Sequence, residues 1–573
     1  MRLRPSVAFL MTVMSLMGCE DPPPPPGGCA DVILVGGPVY TVDPARPRAA
    51  ALAVRGARIL AVGSVAEIEA HACEGSTRRV DLTGRVVIPG LIDSHAHLLN
   101  LGEFLEQVDL VGTRSYEEVL ERVARRVASS EPGTWIFGRG WDQNDWEARE
   151  FPERPALDAL SPRNPVVLTR VDGHAVLANG LALAAAGVDR RTPDPEGGEI
   201  LRDAAGEPTG VLIDNATLLV ENVAPAPGRE DLRRLLTTAT RRCLSLGLTG
   251  VHDAGLGYPS DDERARAGYP TWDVMREMAD AGELGLRVYG MVGGQPLPPE
   301  AYLRREPEIG RAGGMLTVRT VKLYADGALG SRGAALLEDY ADRPGHRGLL
   351  LTDPARIEET VRQAVDAGYQ VGVHAIGDRA NRVVLDVYER ILAEHPGEDL
   401  RLRIEHAQVI APGDIPRFAA LGVIPAMQPT HATSDMYWAE KRLGRKRLAG
   451  AYAWRSLLDA GVSHLPLGSD FPVESANPFW GWYAAVTRQD AEGQPAGGWM
   501  PGQRLDREEA LQGFTLDAAY AAFQEDDLGS LSPGKLADFL VLDRDPLTVP
   551  AAELRHTRVL ETWVGGRRAF PLP

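Results

Sequence analysis

Cysteine is scarce in this chain. The 573 residues include four cysteines, and no two of them form a Cys-x-x-Cys pair. Zinc sites built from thiolates depend on such closely spaced pairs. The sequence therefore argues against a cysteine-ligated zinc ion and leaves histidine and carboxylate side chains as the candidate metal ligands.

Positive charge is also in short supply. Lys and Arg number 61 against 79 Asp and Glu, which gives a formal net charge of -18 at pH 7. An acidic protein gains no counterion-release free energy on nucleic acid. We therefore exclude nucleic acid as a partner and expect the charge to favour solubility.

An apolar run long enough to cross a membrane is missing too. The run from about Val7 to Met17 is too short to span a bilayer, and it follows two arginines, as in a secretory signal. It ends in "LMGC", which resembles a bacterial lipobox. Residues 1–19 are therefore predicted to be a lipoprotein-type signal peptide, with Cys19 lipidated. The alternative is an ordinary signal peptide, with Cys19 removed or free.

Proline dominates the next segment, residues 20–29, with five consecutive prolines at 22–26. Polyproline is stiff and solvated, so this segment is predicted to be a tether between an anchor and a folded domain. In an exported protein, Cys29 and Cys73 are candidates for a disulfide because they flank the first predicted domain. The sequence leaves that pairing open.

Both ends of the folded chain contain short β-type runs interrupted by glycine, such as "DVILVGGPVYTV" and "GKLADFLVLD". Runs of this kind predict antiparallel strands. Residues 30–86 and 535–573 are therefore predicted to form one composite β-sandwich. Residues 499–534 are predicted to be a helical segment.

The middle of the chain, residues 87–498, alternates apolar strands with helical stretches. Eight strands are predicted, at 90–97, 246–255, 284–292, 317–327, 369–378, 402–409, 422–430 and 463–472. Eight parallel βα units imply an α/β fold closed into a (β/α)8 TIM-like barrel. The gap after the first strand is too long for one helix, so a large insertion subdomain is predicted at about 100–240.

Polar side chains collect at the ends of these strands, where barrel active sites lie. The first strand ends in His95 and His97, whose i, i+2 spacing places both side chains on one face. Later strands contribute Lys322, His374, His406 and Asp470. Imidazole and carboxylate together suit zinc or a similar divalent ion. Each residue alone is more often a core or surface residue, but a core would not bury the whole set without a metal.

Five motifs extend this pattern: "PGLIDSHAH", "VKLYADGALGSR", "VGVHAIGDRAN", "RIEHAQ" and "GSDFPVESANP". Together they resemble the amidohydrolase superfamily, and more closely its amidohydrolase-3 branch, which includes N-substituted formamide deformylases. The resemblance covers nearly the whole chain after the tether. It is specific for the superfamily and says little about the substrate.

The resemblance implies a role for each strand-end residue. His95, His97 and Asp470 would hold one ion, His374 and His406 a second, and Lys322, carboxylated by carbon dioxide, would bridge the two. A metal-activated hydroxide would be the nucleophile, and Asp470 would transfer its proton to the leaving amine. The superfamily also has mononuclear members, so one ion and two ions both stay open.

Further residues are expected at the barrel mouth. Those predicted to contact substrate are Asp326 and Arg332 after the fourth strand, His431 after the seventh, and His174 and Trp141 in the insertion. The alternative is that they are loop hydrogen-bonding residues or, for Trp141, part of the insertion's own core.

The leading functional hypothesis is an exported, membrane-anchored metal-dependent hydrolase of the bacterial cell envelope that cleaves a C–N bond of an amide-like small molecule. N-formyl and N-acyl compounds are the candidate substrates. Alternatives are a deaminase or an ester or lactone hydrolase on the same metal site, or a non-catalytic ligand-binding surface lipoprotein. Any membrane attachment is expected to reside in lipidated Cys19.

Overall fold

The computed structural model describes residues 28–170, 175–195, 198–225, 227–256, 271–293, 303 and 305–571. The predicted signal peptide with Cys19, nearly all of the predicted tether, and His174 lie outside these residues. In the part of the chain that is described, no helix combines the length and apolar character needed to cross a membrane.

The centre of the molecule is a nearly closed parallel barrel. Neighbouring strands follow chain order: Leu91–Ala96, Leu248–Asp253, Arg287–Gly293, Leu316–Tyr324, Gln370–Ala375, Arg403–His406 and Ile424–Ala426. The eighth segment is extended but not a regular strand. Its hydrogen bonds nevertheless reach both sides, from Gly468 N–H to Met427 O (3.0 Å) and from Ser94 N–H to Leu467 O (3.1 Å). Seven strands and one irregular segment therefore replace the eight regular strands that we predicted.

Helices surround the barrel. They include Leu98–Glu106, Arg229–Ser245, Thr271–Asp280, Pro354–Asp366, Asp378–Glu394, Ile415–Leu421, Pro429–Asp435, Ala439–Leu443, Trp454–Asp459 and Pro478–Thr487. In Arg229–Ser245 the buried residues Leu232, Leu236, Ala239 and Cys243 recur at helical spacing. They join the main apolar core with strand residues such as Val251. This packing fixes the strand ends from which the site is built.

The insertion after the first barrel strand is a six-stranded mixed sheet. Its strands are Val108–Asp109, Ile136–Trp141, Val166–Arg170, Ala175–Ala178, Gly198–Arg202 and Pro208–Asp214, with helices Tyr116–Ala128, Pro155–Leu160 and Gly180–Ala185. The boundary predicted near residue 240 is too late. Arg229–Ser245 packs in the main core and leads directly into the second barrel strand, so it belongs to the barrel.

The two ends of the chain meet in a second sheet. Its order is Arg567–Phe570, Val559–Val564, Phe539–Leu542, Val86–Pro89, Val32–Tyr40, Arg48–Arg55 and Arg58–Gly63, with Arg78–Asp81 also pairing Val32–Tyr40. Hydrogen bonds link these strands in that order, and Val32–Tyr40 pairs with Val86–Pro89 at one position, Val39 with Val87. Leu34 and Trp563 share the sheet's apolar core, so both termini contribute to one unit, as predicted.

Two smaller features complete this region. A disulfide joins Cys29 to Cys73, so the pairing left open by the sequence is present. Helices Arg507–Gly513 and Leu516–Ala521 fall in the segment predicted to be helical, and Ile92 N–H donates to Phe514 O (2.7 Å). These helices therefore lie against the first barrel strand, below the site.

Candidate metal centre

The predicted ligands converge at the carboxyl ends of the barrel strands. Asp470 Oδ1 lies 3.1 Å from His97 Nε2 and 3.8 Å from His95 Nε2. One ligand atom from each of these three residues lies within 4.8 Å of the other two. That spacing is what one cation would require of three ligands.

A second group lies beside the first. The ring centroids of His374 and His406 are 4.6 Å apart, and those of His95 and His406 are 4.7 Å apart. His431 Nε2 is 3.7 Å from Asp470 Oδ2, and His406, His431 and Asp470 form another possible metal-binding triple. The structure thus adds His431, which we had expected at the substrate, to the possible ligands.

Two of these side chains depend on an unusual backbone. His406 has φ 75° and Asp470 has φ 62°, in the left-handed region that non-glycine residues rarely adopt. In a regular strand, His406 and Glu405 would point to opposite faces. The positive φ ends the strand and allows both side chains to serve the site. Such strain costs of order 1–3 kcal/mol per residue and is typical of functional positions.

The chemistry of these groups fits a divalent metal. His95 Nε2 and Asp470 Oδ1 are buried and have no hydrogen-bond partner. Burial, with the charge of Lys322, lowers the pKa of His95 to about 4 and that of His374 to about 3. Neutral imidazole is the form that binds metal. Burial would raise the pKa of Asp470, but His97 and the other histidines outweigh it and hold the pKa well below its usual value.

A buried carboxylate behind the site orients His95. Glu405 Oε2 lies 2.5 Å from His95 Nδ1, and Arg403 Nε donates to Glu405 Oε1 (2.8 Å). Arg403 NH1 in turn lies 3.0 Å from His252 Nδ1. Burial opposes the charge on Glu405, but Arg403 and His95 outweigh it and lower its pKa to about 2. With Glu405 accepting from Nδ1–H, the lone pair of His95 Nε2 is directed into the site.

Other contacts orient the remaining histidines. His406 Nδ1 lies 2.8 Å from Gln428 Oε1, which leaves Nε2 as the coordinating atom. His374 Nε2 lies 3.6 Å from Asp326 Oδ1, so the other ring nitrogen, Nδ1, is the one left for coordination. Glu405, Arg403 and Gln428 were not among the residues predicted from the sequence. The available signal was that Glu405 and Arg403 lie one and three residues before His406 on one buried strand.

Asp326 does not take the position we predicted. It is fully buried and accepts hydrogen bonds from the backbone N–H groups of Ala335, Ile376 and Gly377 at 2.8–2.9 Å. Its carboxylate therefore holds the loops after the fourth and fifth strands together behind His374, and it does not contact the substrate cavity.

Of the other predicted substrate contacts, two lie away from the cavity and one lines it. Arg332 forms an ion pair with Asp342 (2.9 Å) and lies outside the cavity wall. Trp141 is buried in the insertion's own core, where its Nε1–H donates to Leu168 O (2.7 Å). His431 does line the cavity. His174 is outside the described residues.

Lys322 lies among the histidines. Its side chain is 1% exposed, and Nζ is 4.5 Å from the centroid of the Tyr324 ring. Within the described residues it has no carboxylate partner in an ion pair. A buried lysine without a counter-charge is costly unless the site supplies one.

All these groups line one cavity of about 390 Å³ at the barrel mouth. The metal-ligand candidates form its floor. Its wall is formed by Tyr324, Ala328, Leu329, Gly330, Ile376, Gln408, Asp435, Trp438, Val473 and Glu474. A cavity of this size suits a small molecule.

A parallel barrel with such a cluster at its mouth defines the class of barrel proteins with a catalytic metal centre. A family model described as the Amidohydrolase family matches residues 78–570. The chain belongs to that family and is a metal-dependent hydrolase within it.

Two similar proteins and one similar solved structure span nearly the whole chain. Protein LONG AFTER FAR-RED 3 of Arabidopsis thaliana is 38% identical, covering 99% of this chain and 96% of that protein. N-substituted formamide deformylase of Arthrobacter pascens is 30% identical, covering 94% and 97%. The crystal structure of an uncharacterized metal-dependent hydrolase from Pyrococcus furiosus superposes with a TM-score of 0.75 at 30% identity, covering 90% of this chain and 100% of that chain.

Proposed function

We propose that this protein hydrolyses a C–N bond of an N-formyl or N-acyl amide. The observation that supports it most is Asp470, an ionised carboxylate that lies among the histidines and borders the cavity. The similarity to the N-substituted formamide deformylase of Arthrobacter pascens favours the same bond.

His95, His97 and Asp470 would hold one ion, and this imidazole and carboxylate set suits zinc. His374, His406 and His431 would supply the nitrogens for a second ion. When bound, a divalent metal polarises a carbonyl and makes water nucleophilic at neutral pH. Asp470 accepts the proton that the attacking water loses and returns it to the departing amine nitrogen. Glu405 keeps His95 in the required tautomer throughout.

Lys322 is proposed to carry a carboxylate. Its neutral amine would add carbon dioxide, forming an N–C bond and releasing one proton. The resulting carbamate would provide negative charge between two cations. The support is the position of Lys322 beside the histidines, with no carboxylate partner among the described residues.

The protein is further proposed to be exported and anchored through lipidated Cys19. The Cys29–Cys73 disulfide favours an oxidising compartment, since such bonds are rare in proteins kept in reducing conditions. Its position directly after the polyproline segment would stabilise the junction between tether and folded domain.

The test is turnover of N-formyl and N-acyl amines by the purified, zinc-loaded full chain. Asp470→Asn is expected to lower kcat by roughly 10²–10⁴-fold, the range for loss of a general acid–base. The matched control is Asp459→Asn, on an exposed helical position. No turnover of any amide by a metal-loaded protein, or full activity in Asp470→Asn, would refute the proposal.

A further inference from the structure

Part of the cavity lining is apolar. Leu329, Trp438 and Val473 line it, and Val473 is 69% exposed at the rim. The Trp438 ring packs directly on Gly330, where an added Cβ would lie 3.3 Å from the ring carbons. The loop after the fourth strand and the segment after the seventh thus form one continuous wall.

This wall is held in place by a shared ion pair. Asp342 accepts hydrogen bonds from both Arg332 and Arg442, and Arg442 Nε donates to Gly330 O (3.0 Å). Arg332, which does not reach the cavity, therefore helps to fix the position of Trp438. A preformed apolar surface binds a flat or branched group without an ordering cost.

At the rim, beside this wall, lies a carboxylate without a partner. Glu474 lines the cavity, is half-buried, and forms no hydrogen bond or ion pair with any described residue. The neighbouring Asp435 differs, since it accepts from Tyr452 OH (2.5 Å) and Gln408 Nε2 (3.1 Å). Glu474 is therefore the wall carboxylate that is available to a ligand.

The cavity offers little to an anionic group. Among its described lining residues, Lys322 is the one cationic side chain, and it lies on the floor with the histidines. A substrate carboxylate near the rim would face Glu474 with no arginine or lysine of the described wall to pair with it. Like charges at short range disfavour binding.

We propose that this cavity selects amides whose nitrogen substituent has an aromatic or branched apolar body ending in an ammonium group. Trp438 covers the apolar body, and Glu474 accepts hydrogen bonds from the ammonium. This inference rests on the proposed amide hydrolysis for its reaction, but it concerns which ligands bind.

The experiment compares three compounds that share one scaffold and differ in charge, being positive, neutral or negative. N-(2-phenylethyl)formamides with a para aminomethyl, hydroxymethyl or carboxylate group are compared by kcat/KM with the zinc-loaded full chain. The matching 2-phenylethylureas, which lack the formyl group, are titrated calorimetrically. We expect the ammonium compound to exceed the neutral one by about tenfold, as for a hydrogen bond to a charged group, and the carboxylate compound to be the poorest.

Glu474→Gln keeps the shape and removes the charge. It is expected to reduce the ammonium-to-neutral ratio about tenfold in both measurements. Glu440→Gln, an exposed glutamate two residues from Trp438 and outside the cavity wall, is the matched control and should keep the wild-type ratio.

The outcomes separate the two proposals. Charge-selective urea binding that depends on Glu474, with no formamide cleaved, would overturn the proposed reaction and leave this inference standing. Equal affinities for the three ureas, a preference for the carboxylate, no binding of the ammonium urea, or an unchanged ratio in Glu474→Gln would each overturn the inference.

Discussion

Replacing Glu405 with glutamine tests the buried carboxylate behind the metal centre. Glu405 has 0% exposure and lies between His95 Nδ1 at 2.5 Å and Arg403 Nε at 2.8 Å. Glutamine has one acceptor and one donor where Glu405 has two acceptors. If its oxygen faces His95, its NH2 faces Arg403, and two donors then oppose each other. If its NH2 faces His95, the ring must accept at Nδ1 and protonate Nε2, which is the wrong tautomer for coordination.

Two magnitudes follow from this geometry. Removing an outer carboxylate that orients a ligating histidine typically weakens metal binding by about 10–100-fold. Leaving Arg403 buried without its counter-charge is expected to cost roughly 3–5 kcal/mol of folding stability. The two effects have different causes, because one depends on the tautomer of His95 and the other on the charge of Arg403.

The assay therefore measures both quantities. Zinc affinity is determined by competition with a chelator, and thermal stability by scanning fluorimetry of the metal-free protein. Glu405→Gln should lower both affinity and Tm. The double variant Arg403→Met, Glu405→Gln should recover most of the Tm, since no unpaired charge remains, while affinity stays low. Wild-type zinc affinity in Glu405→Gln would refute the assigned role of Glu405.

Four further predictions follow from the site and the N-terminus. His374→Ala should reduce bound metal, as elemental analysis of purified protein would show; unchanged stoichiometry would exclude it as a ligand. Lys322→Ala should lose metal and activity, and a short carboxylic acid should restore part of both. Lys322→Arg should not restore them, because guanidinium stays protonated and cannot form the carbamate. Density for an unmodified Lys322 amine beside a single fully occupied ion, in protein supplied with bicarbonate, would reject the bridge. Cys19→Ala should shift the protein from the membrane fraction to the soluble one, and failure of the wild type to incorporate labelled fatty acid would contradict lipidation. Cys73→Ser removes a disulfide between residues separated by 44 positions and should lower Tm, with an upper limit of about 4 kcal/mol from loop-closure entropy in the unfolded chain; an unchanged Tm would contradict a stabilising role for the disulfide.

The grouping of the candidate ligands was accessible from sequence because it depends on the order of the strands along the chain. A barrel brings the carboxyl ends of its strands together, so a histidine at one strand end meets the histidine at the next. His95, His97, His374 and His406 needed only that rule. Their partners did not follow from it, since Glu405 and His406 share the site only through the positive φ of His406.

Residues outside the strands were harder to place for a related reason. Asp326 and Arg332 follow the fourth strand closely in sequence, as a substrate-binding residue would. The Asp326 side chain instead accepts from backbone N–H groups 9 and 51 residues away, and the Arg332 side chain pairs with Asp342, 10 residues away. Trp141 similarly joins the insertion's own core. A position close to a strand end predicts the part of the barrel in which a side chain lies, but not the direction in which it points.

The sheet shared by both termini determines when its strands can pair during synthesis of the chain. Val86–Pro89 pairs with Phe539–Leu542, which the ribosome makes roughly 450 residues later. At a synthesis rate of about 5–20 residues per second, the early strand waits some 20–90 s for its partner. During that interval its backbone groups form an open edge to which other chains could pair. A nascent chain halted before Phe539 would therefore be prone to aggregate even with a complete barrel.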